Sequence, residues 1–252
     1  MRLFAAVTVL LCVITLTVFA QAQRGAGGRG RGGPASAREG AAIDLTGYWV
    51  SVISEDWKFR MVTPKKGVYD SLTLNAEGRR VADTWDPAKD ETAGEQCRAY
   101  GAANIMRVPG RLHITWQDDN TLRIDADAGT QTRLLRFGAS PADDTPATWQ
   151  GRSAALWEYA GAVRGGPRSG NLKVTTTNLR SGYVRKNGAP YSAKATVTEY
   201  FDLNTMPNGD TWFTVTTKVE DPVYFARPYL TTTDFKKLPD AAGWKPVPCS
   251  AH

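Results

Sequence analysis

Alternation of apolar and polar residues dominates the chain from residue 44 onward, and this period of two predicts β-strands. Residues 44–53 open the pattern, and residues 57–61 continue it with Trp57, Phe59 and Met61 at every second position. Later segments with strand character are 111–116, 122–124, 130–137, 148–159, 172–179, 193–203, 211–219 and 230–236. We therefore predict about nine or ten strands, most of them joined by short turns.

Turn and cap signals organise these strands. Pro207-Asn-Gly-Asp210 is typical of a hairpin turn, and Asp118-Asp-Asn120 predicts another tight turn. Asn75 is placed to cap one short helix over residues 76–85, which should end before Pro87. Residues 86–105 show no regular pattern and are predicted to be irregular.

Consecutive antiparallel strands in this number favour closure, because a closed sheet has no exposed edges. The predicted fold is all-β: an antiparallel up-and-down barrel of lipocalin or calycin type, with one short helix. A two-sheet β-sandwich is the alternative. No second long linker divides residues 43–252, so they are predicted to form a single barrel-like domain.

The first 22 residues have the three parts of a secretory signal peptide. Arg2 precedes an apolar run from Leu3 to Ala20, and small residues flank Gln21 before a cleavage site near Ala22. The expectation is a periplasmic or secreted protein with no stable membrane insertion after cleavage. Retention of residues 3–20 as an anchor is the alternative.

Residues 23–42 are rich in glycine and arginine and predict a disordered linker. The chain carries a net charge of +6, but removal of the five arginines and one glutamate before residue 43 leaves +2. A domain so near neutrality offers no electrostatic case for binding nucleic acid.

Cys97 and Cys249 are the two cysteines that remain after the predicted cleavage. In an oxidising compartment such a pair favours a disulfide over a metal or redox site, and two separate thiols are the alternative.

Two resemblances to known families extend this interpretation. Gly47-Tyr-Trp49 resembles the Gly-x-Trp start of lipocalin-like barrels, in which the tryptophan closes one barrel end. Leu74-Asn-Ala-Glu-Gly78, Trp85-Asp-Pro87 and Cys97 resemble a family of exported, functionally uncharacterised bacterial β-rich proteins. So do Trp157-Glu158, Val174-Thr-Thr-Thr-Asn178, Val219-Glu-Asp-Pro222 and Pro246-Val-Pro-Cys249. The second resemblance implies one exported β domain and no particular activity.

The scarcity of histidine narrows the chemistry. His113 is the one histidine within the predicted strands, since His252 ends the chain. Zinc spacing, nucleophile-elbow and phosphate-loop motifs do not occur, so no metal or cofactor is predicted.

Six residues are candidates for a ligand pocket. Glu199 shares a strand face with Val197 and Phe201, where a carboxylate needs a partner such as Arg133 or Arg136. His113 faces either solvent or the barrel cavity. The aromatic candidates are Trp49, Trp116 and Trp157, for which core packing is the alternative.

These features favour an exported barrel that binds a small, mostly apolar molecule in the cell envelope. One alternative is a barrel enzyme of cyclase, isomerase or hydratase type that uses Glu199 or His113 as its acid–base group. The other is an envelope module that binds proteins. The catalytic residues, the ligand and the oligomeric state stay open.

Overall fold

The computed structural model describes residues 36–138, 146–161 and 169–252. Nine strands form a closed barrel: β1 Gly47–Val52, β2 Arg111–Asp118, β3 Thr121–Ala126, β5 Gln131–Phe137, β6 Arg152–Tyr159, β7 Gly170–Thr177, β10 Thr196–Thr205, β11 Thr211–Glu220 and β12 Tyr229–Leu238. Two short pairs lie outside it: β4 Ala128–Gly129 with β13 Val247–Pro248, and β8 Gly182–Arg185 with β9 Ala189–Tyr191. The predicted all-β barrel is therefore confirmed, and the β-sandwich alternative is wrong.

Strand order around the barrel follows the order of these strands in the chain. Eight of the nine neighbouring pairs are antiparallel, and β5 pairs with β6 in parallel through Leu135–Ser153 and Phe137–Ala155. A closed ring with an odd number of strands cannot alternate direction throughout, so at least one parallel pair is unavoidable. This pair departs from a simple up-and-down arrangement.

The predicted strand at residues 57–61 is wrong. The chain forms a one-turn helix there, α1 Trp57–Arg60, and the burial is the reverse of the prediction. Trp57 is 64% exposed, whereas Arg60 is only 8% exposed. Apolar residues can thus occupy every second position in a segment that is not a strand and whose one buried side chain is charged, here Arg60.

Helices are more numerous than predicted. Asn75 caps α2 Ala76–Ala82 as expected and accepts a hydrogen bond from the Gly78 amide at 2.8 Å. The segment predicted to be irregular contains α3 Pro87–Thr92 and two 3₁₀ turns, Arg98–Tyr100 and Ile105–Arg107. Asp86 caps α3 and proline occupies its first turn, which is a standard start signal.

The two ends of the barrel differ. One end, called here the helical end, carries residues 53–110 and the β8–β9 hairpin, which form a second apolar cluster beside the barrel core. Residues 36–40 lie at the other end, where Arg38 donates its amide to the Asp119 carbonyl and Trp157 Nε1 donates to the Ala37 carbonyl. Residues 36–42 of the predicted linker thus include backbone held against the barrel, and residues 1–35 lie outside the described part.

Candidate functional site

Arg133 and Glu199 form an ion pair inside the barrel. The Arg133 Nη1 and Nη2 atoms donate to the two Glu199 carboxylate oxygens at 2.9 and 2.6 Å. The side chains are 2% and 0% exposed, although β5 and β10 are separated in the sheet by β6 and β7. The guanidinium therefore crosses the interior, and Arg136, on the opposite face of β5, is not the partner.

The surroundings of this pair are packed. Thr176 lies within 3.5 Å of Arg133 Nη2, and its hydroxyl is hydrogen-bonded to Ser153 at 2.7 Å. None of four clefts on the described residues is lined by Arg133 or Glu199. Each Glu199 carboxylate oxygen accepts one N–H of Arg133, so the ion pair holds both side chains in place. The predicted ligand role of Glu199 and Arg133 stays a prediction.

His113 lies on the outer face of the barrel. Its ring stacks on Tyr48 with centroids 4.1 Å apart and planes 3° apart, and Trp244 packs edge-on against both rings. It borders a shallow outer groove with Asp125, its register partner on β3. Burial raises the pKa of Asp125, but hydrogen bonds from Arg123 and Thr132 outweigh it and hold that pKa below its usual value.

The three candidate tryptophans line none of the four clefts found on the described residues. Trp49 is fully buried, donates Nε1 to the Leu45 carbonyl at 2.8 Å and packs edge-on against Phe213. Trp116 and Trp157 flank Phe137 at centroid distances of 5.7 and 5.2 Å near the end covered by residues 36–40. All three side chains contribute to the apolar core of the barrel.

A cleft of about 260 Å³ opens instead at the helical end, between α2, α3 and the β8–β9 hairpin. We call it the end cleft. Four of its lining residues are aromatic, and Asp90 and Arg98 form an ion pair within it. It is lined by Val81, Thr84, Trp85, Asp86, Lys89, Asp90, Arg98, Ser181, Gly182, Tyr183, Gly188, Pro190, Tyr191 and Tyr224. A more open groove of about 560 Å³ shares Lys89, Asp90, Arg98 and Ser181 with it and extends it.

Asp90 organises the floor of the end cleft. Its Oδ1 atom accepts from Arg98 Nη1 at 3.1 Å, and its Oδ2 atom accepts from the Tyr183 hydroxyl at 2.9 Å. The Arg98 guanidinium also lies 4.5 Å from the centroid of the Tyr183 ring. Burial raises the pKa of the Tyr183 phenol, so this group is a neutral donor at physiological pH.

Three other polar atoms in the end cleft have unused capacity. In the part of the chain that the structure describes, Trp85 Nε1, Arg98 Nε and the Tyr191 hydroxyl are buried without a hydrogen-bond partner. Burial of a donor without an acceptor costs about 1–3 kcal/mol. An acceptor brought by a ligand would recover part of that cost.

The Cys97–Cys249 disulfide fixes the first 3₁₀ turn beside the end cleft. The bridge joins Cα atoms 5.1 Å apart across a sequence separation of 152 residues. Cys97 immediately precedes Arg98, so the bridge holds the residue that pairs with Asp90. The predicted disulfide is therefore present.

Sequence reasoning missed most of the end cleft. The Asn187-Gly188 dipeptide is a strong hairpin signal, and it would have predicted the β8–β9 turn. Asp86-Pro87 would have predicted the start of α3. The pairing of Asp90 with Arg98 and Tyr183 depends on the folded chain and has no local signature.

Comparison with known proteins finds no family model, no curated protein and no solved structure that matches this chain. Across residues 36–138, 146–161 and 169–252, no helix is long and apolar enough to cross a membrane. The same residues contain no group of three or more histidine, cysteine, aspartate or glutamate side chains placed to hold a metal ion.

Proposed function

We propose that this chain is an exported binding protein of the cell envelope, whose small-molecule ligand occupies the end cleft. The observation that carries the proposal is the combination of aromatic lining residues with unpartnered donors on Trp85, Arg98 and Tyr191. Ligand pockets combine apolar and aromatic side chains with convergent polar groups, and the end cleft has both. The signal-like residues 1–22 support export.

The chemistry of the end cleft favours an uncharged, mostly apolar ligand that carries a hydrogen-bond acceptor. Asp90 and Arg98 neutralise each other, and Lys89 lies 3.7 Å from Asp86, so no single charge dominates. Flat rings can stack against Trp85 or Tyr224, and a carbonyl oxygen can accept from Trp85 Nε1. A planar aromatic amide, ketone or ester has these features.

The barrel serves as a scaffold in this proposal, and its interior is not the ligand site. The Arg133–Glu199 pair is enclosed by packed side chains, and His113 lies outside the barrel. The Glu199 carboxylate and the His113 imidazole therefore do not line the end cleft, so the two residues named for the enzyme alternative lie outside it.

Saturation-transfer NMR with benzamide as the probe tests the proposal. Trp85→Phe keeps an aromatic wall and removes the indole N–H, so we expect benzamide binding to weaken about tenfold, which is one buried hydrogen bond. Trp57→Phe is the matched control, because Trp57 is exposed on α1, away from the cleft. Equal binding by wild type and Trp85→Phe, or no saturable binding by the wild type, would contradict the proposal.

A further inference from the structure

Three arginines converge in a second, smaller pocket at the helical end. Arg60 ends α1, Arg107 ends the second 3₁₀ turn and Arg185 ends β8, so three separate segments supply them. They are 8%, 5% and 4% exposed, which is exceptional for arginine. Lys186 and the ring of Phe59 also line this pocket, called here the arginine pocket.

Two of the three guanidinium groups in the arginine pocket have a carboxylate as a direct partner. Glu55 pairs with Arg60 Nη1, and Asp56 accepts from Arg107 Nη2 at 3.0 Å. Arg185 donates Nη2 to the Asp70 carbonyl and to the Ser71 hydroxyl, both at 3.0 Å. Among the described residues Arg185 has no carboxylate partner, although it is the most deeply buried of the three.

Unused donors remain on two of these arginines. Within the described ranges, Arg60 Nη2 and Arg185 Nη1 are buried and have no hydrogen-bond partner of normal geometry. The Tyr229 hydroxyl interacts with Arg185 and, against the larger effect of burial, raises the pKa of its guanidinium group. Buried guanidinium N–H groups usually have an acceptor in folded proteins, so these two nitrogens can donate to a group that enters the pocket.

The arginine pocket also contains more positive than negative charges. Burial lowers the pKa of both Arg60 and Arg185, and the positive charge of Arg107 lowers each of them further. Glu55, Asp56 and the more distant Asp234 oppose this effect on Arg60, and Tyr229 and Asp56 oppose it on Arg185. With Lys186 included, four cations face these three carboxylates, so one further negative charge would be stabilised there.

We propose that the arginine pocket binds the carboxylate group of a small organic acid. Guanidinium N–H groups bind carboxylate oxygens through charge-assisted hydrogen bonds, and Arg60 and Arg185 each have one unused nitrogen for such a bond. The space of about 30 Å³ is roughly that of two water molecules, so it suits a planar carboxylate better than a tetrahedral phosphate. The proposal is independent of the end cleft and of its ligand.

A titration of the ¹⁵N-labelled protein with sodium formate, followed by NMR of the arginine Nε–Hε groups, tests this site. Sodium chloride at matched ionic strength is the reference, and inorganic phosphate is the competing anion. We expect saturable shifts of the Arg60 and Arg185 signals with formate and none with chloride. Arg185→Gln should weaken formate binding at least tenfold, because it removes a charge-assisted hydrogen-bond pair.

Two further variants separate a loss of binding from a loss of folding in Arg185→Gln. Lys186→Gln alters the rim of the pocket and leaves the three arginines in place, so formate binding should weaken about twofold to threefold. Lys218→Gln, on β11 beside Glu220, is the matched control and should bind formate like the wild type. Absence of saturation with formate would overturn the proposal, as would unchanged affinity in a folded Arg185→Gln variant or a preference for phosphate.

Discussion

At the scale of single residues, the Arg133–Glu199 pair places two opposite charges in the interior of the barrel, away from water. Each charge loses its water on burial, and the bidentate contact with both carboxylate oxygens compensates for that loss. Because the two strands are not neighbours, the pair also ties opposite parts of the barrel wall together. We infer that the ion pair helps to select this arrangement of β5 and β10 and adds little to the net free energy of unfolding.

Glu199→Gln should lower the free energy of unfolding by about 3–5 kcal/mol, because it leaves Arg133 charged and unpaired in the core. The double variant Arg133→Leu/Glu199→Leu should lose less, since no orphan charge remains. Urea denaturation measures both effects. Glu220→Gln, on the exposed face of β11, is the control and should change stability by less than about 0.5 kcal/mol. A small loss in Glu199→Gln would show that the pair is not closed to water.

Three tyrosines should resist ionisation at high pH. Burial raises the pKa of Tyr69 to about 12, with the hydrogen bond to Asp83 adding to it, and burial also raises the pKa of Tyr183 and Tyr191. The unfolded pKa is about 10, so the stability from these neutral phenols is complete below pH 10 and is lost as pH rises toward 12.

Ultraviolet titration at the phenolate band tests this expectation, with the free energy of unfolding followed over the same pH range. Tyr69→Phe should reduce the loss of stability between pH 10 and 12, whereas a variant at exposed Tyr159, Tyr159→Phe, should not. Full ionisation of all tyrosines near pH 10 in the folded protein would contradict it.

At the scale of elements, the turn of the β8–β9 hairpin decides the shape of the end cleft. Gly188 has a φ of +80°, and a Cβ atom there would collide with the Cβ and Cγ atoms of Trp85. The glycine thus allows the hairpin to lie directly against Trp85, which lines the end cleft.

Gly188→Ala should destabilise the protein by about 2–4 kcal/mol, from the left-handed backbone and the collision with Trp85 together. Gly209→Ala is the matched control, because Gly209 has a φ of +85° and a methyl group added there would meet no atom within 4 Å. Its cost should be about 1 kcal/mol. Thermal unfolding compares the two variants, and equal costs would show that the hairpin does not rest on Trp85.

The barrel strands could be predicted from sequence because each faces an apolar core on one side, so a period of two is visible. Segment 57–61 shows where this fails: Trp57 and Met61 alternate with charges, but buried Arg60 provides the tertiary contacts. All four residues of β8 are buried, so this strand shows no alternation, and the Asn187-Gly188 turn was the one local signal for the β8–β9 hairpin.

Less of the candidate site than of the fold could be predicted from the sequence. Apolar neighbours of Glu199 made an arginine partner predictable, and Arg133 is that partner. The predicted ligand role of these residues stays a prediction. By contrast, Arg60, Arg107 and Arg185 are far apart in the chain and lie in segments without periodicity, so only the folded structure brings them together.

At the scale of the whole molecule, the disulfide joins the end of the chain to the helical end. The Cys97→Ser/Cys249→Ser variant should lose about 4–5 kcal/mol of unfolding free energy if chain entropy dominates, since the bridge closes a loop of 152 residues. Denaturation with and without a reductant measures this loss. The reductant should destabilise the wild type and leave the variant unchanged. Equal stability of the wild type and the variant without reductant would contradict the entropic explanation.

Native mass spectrometry of the protein isolated from its own cells shows whether the end cleft holds a small molecule. We expect extra mass in the native spectrum that disappears on denaturation and is reduced in Trp85→Phe but retained in Trp57→Phe. A native mass equal to that of the polypeptide alone, or a bound mass unaffected by Trp85→Phe, would contradict the proposed binding function.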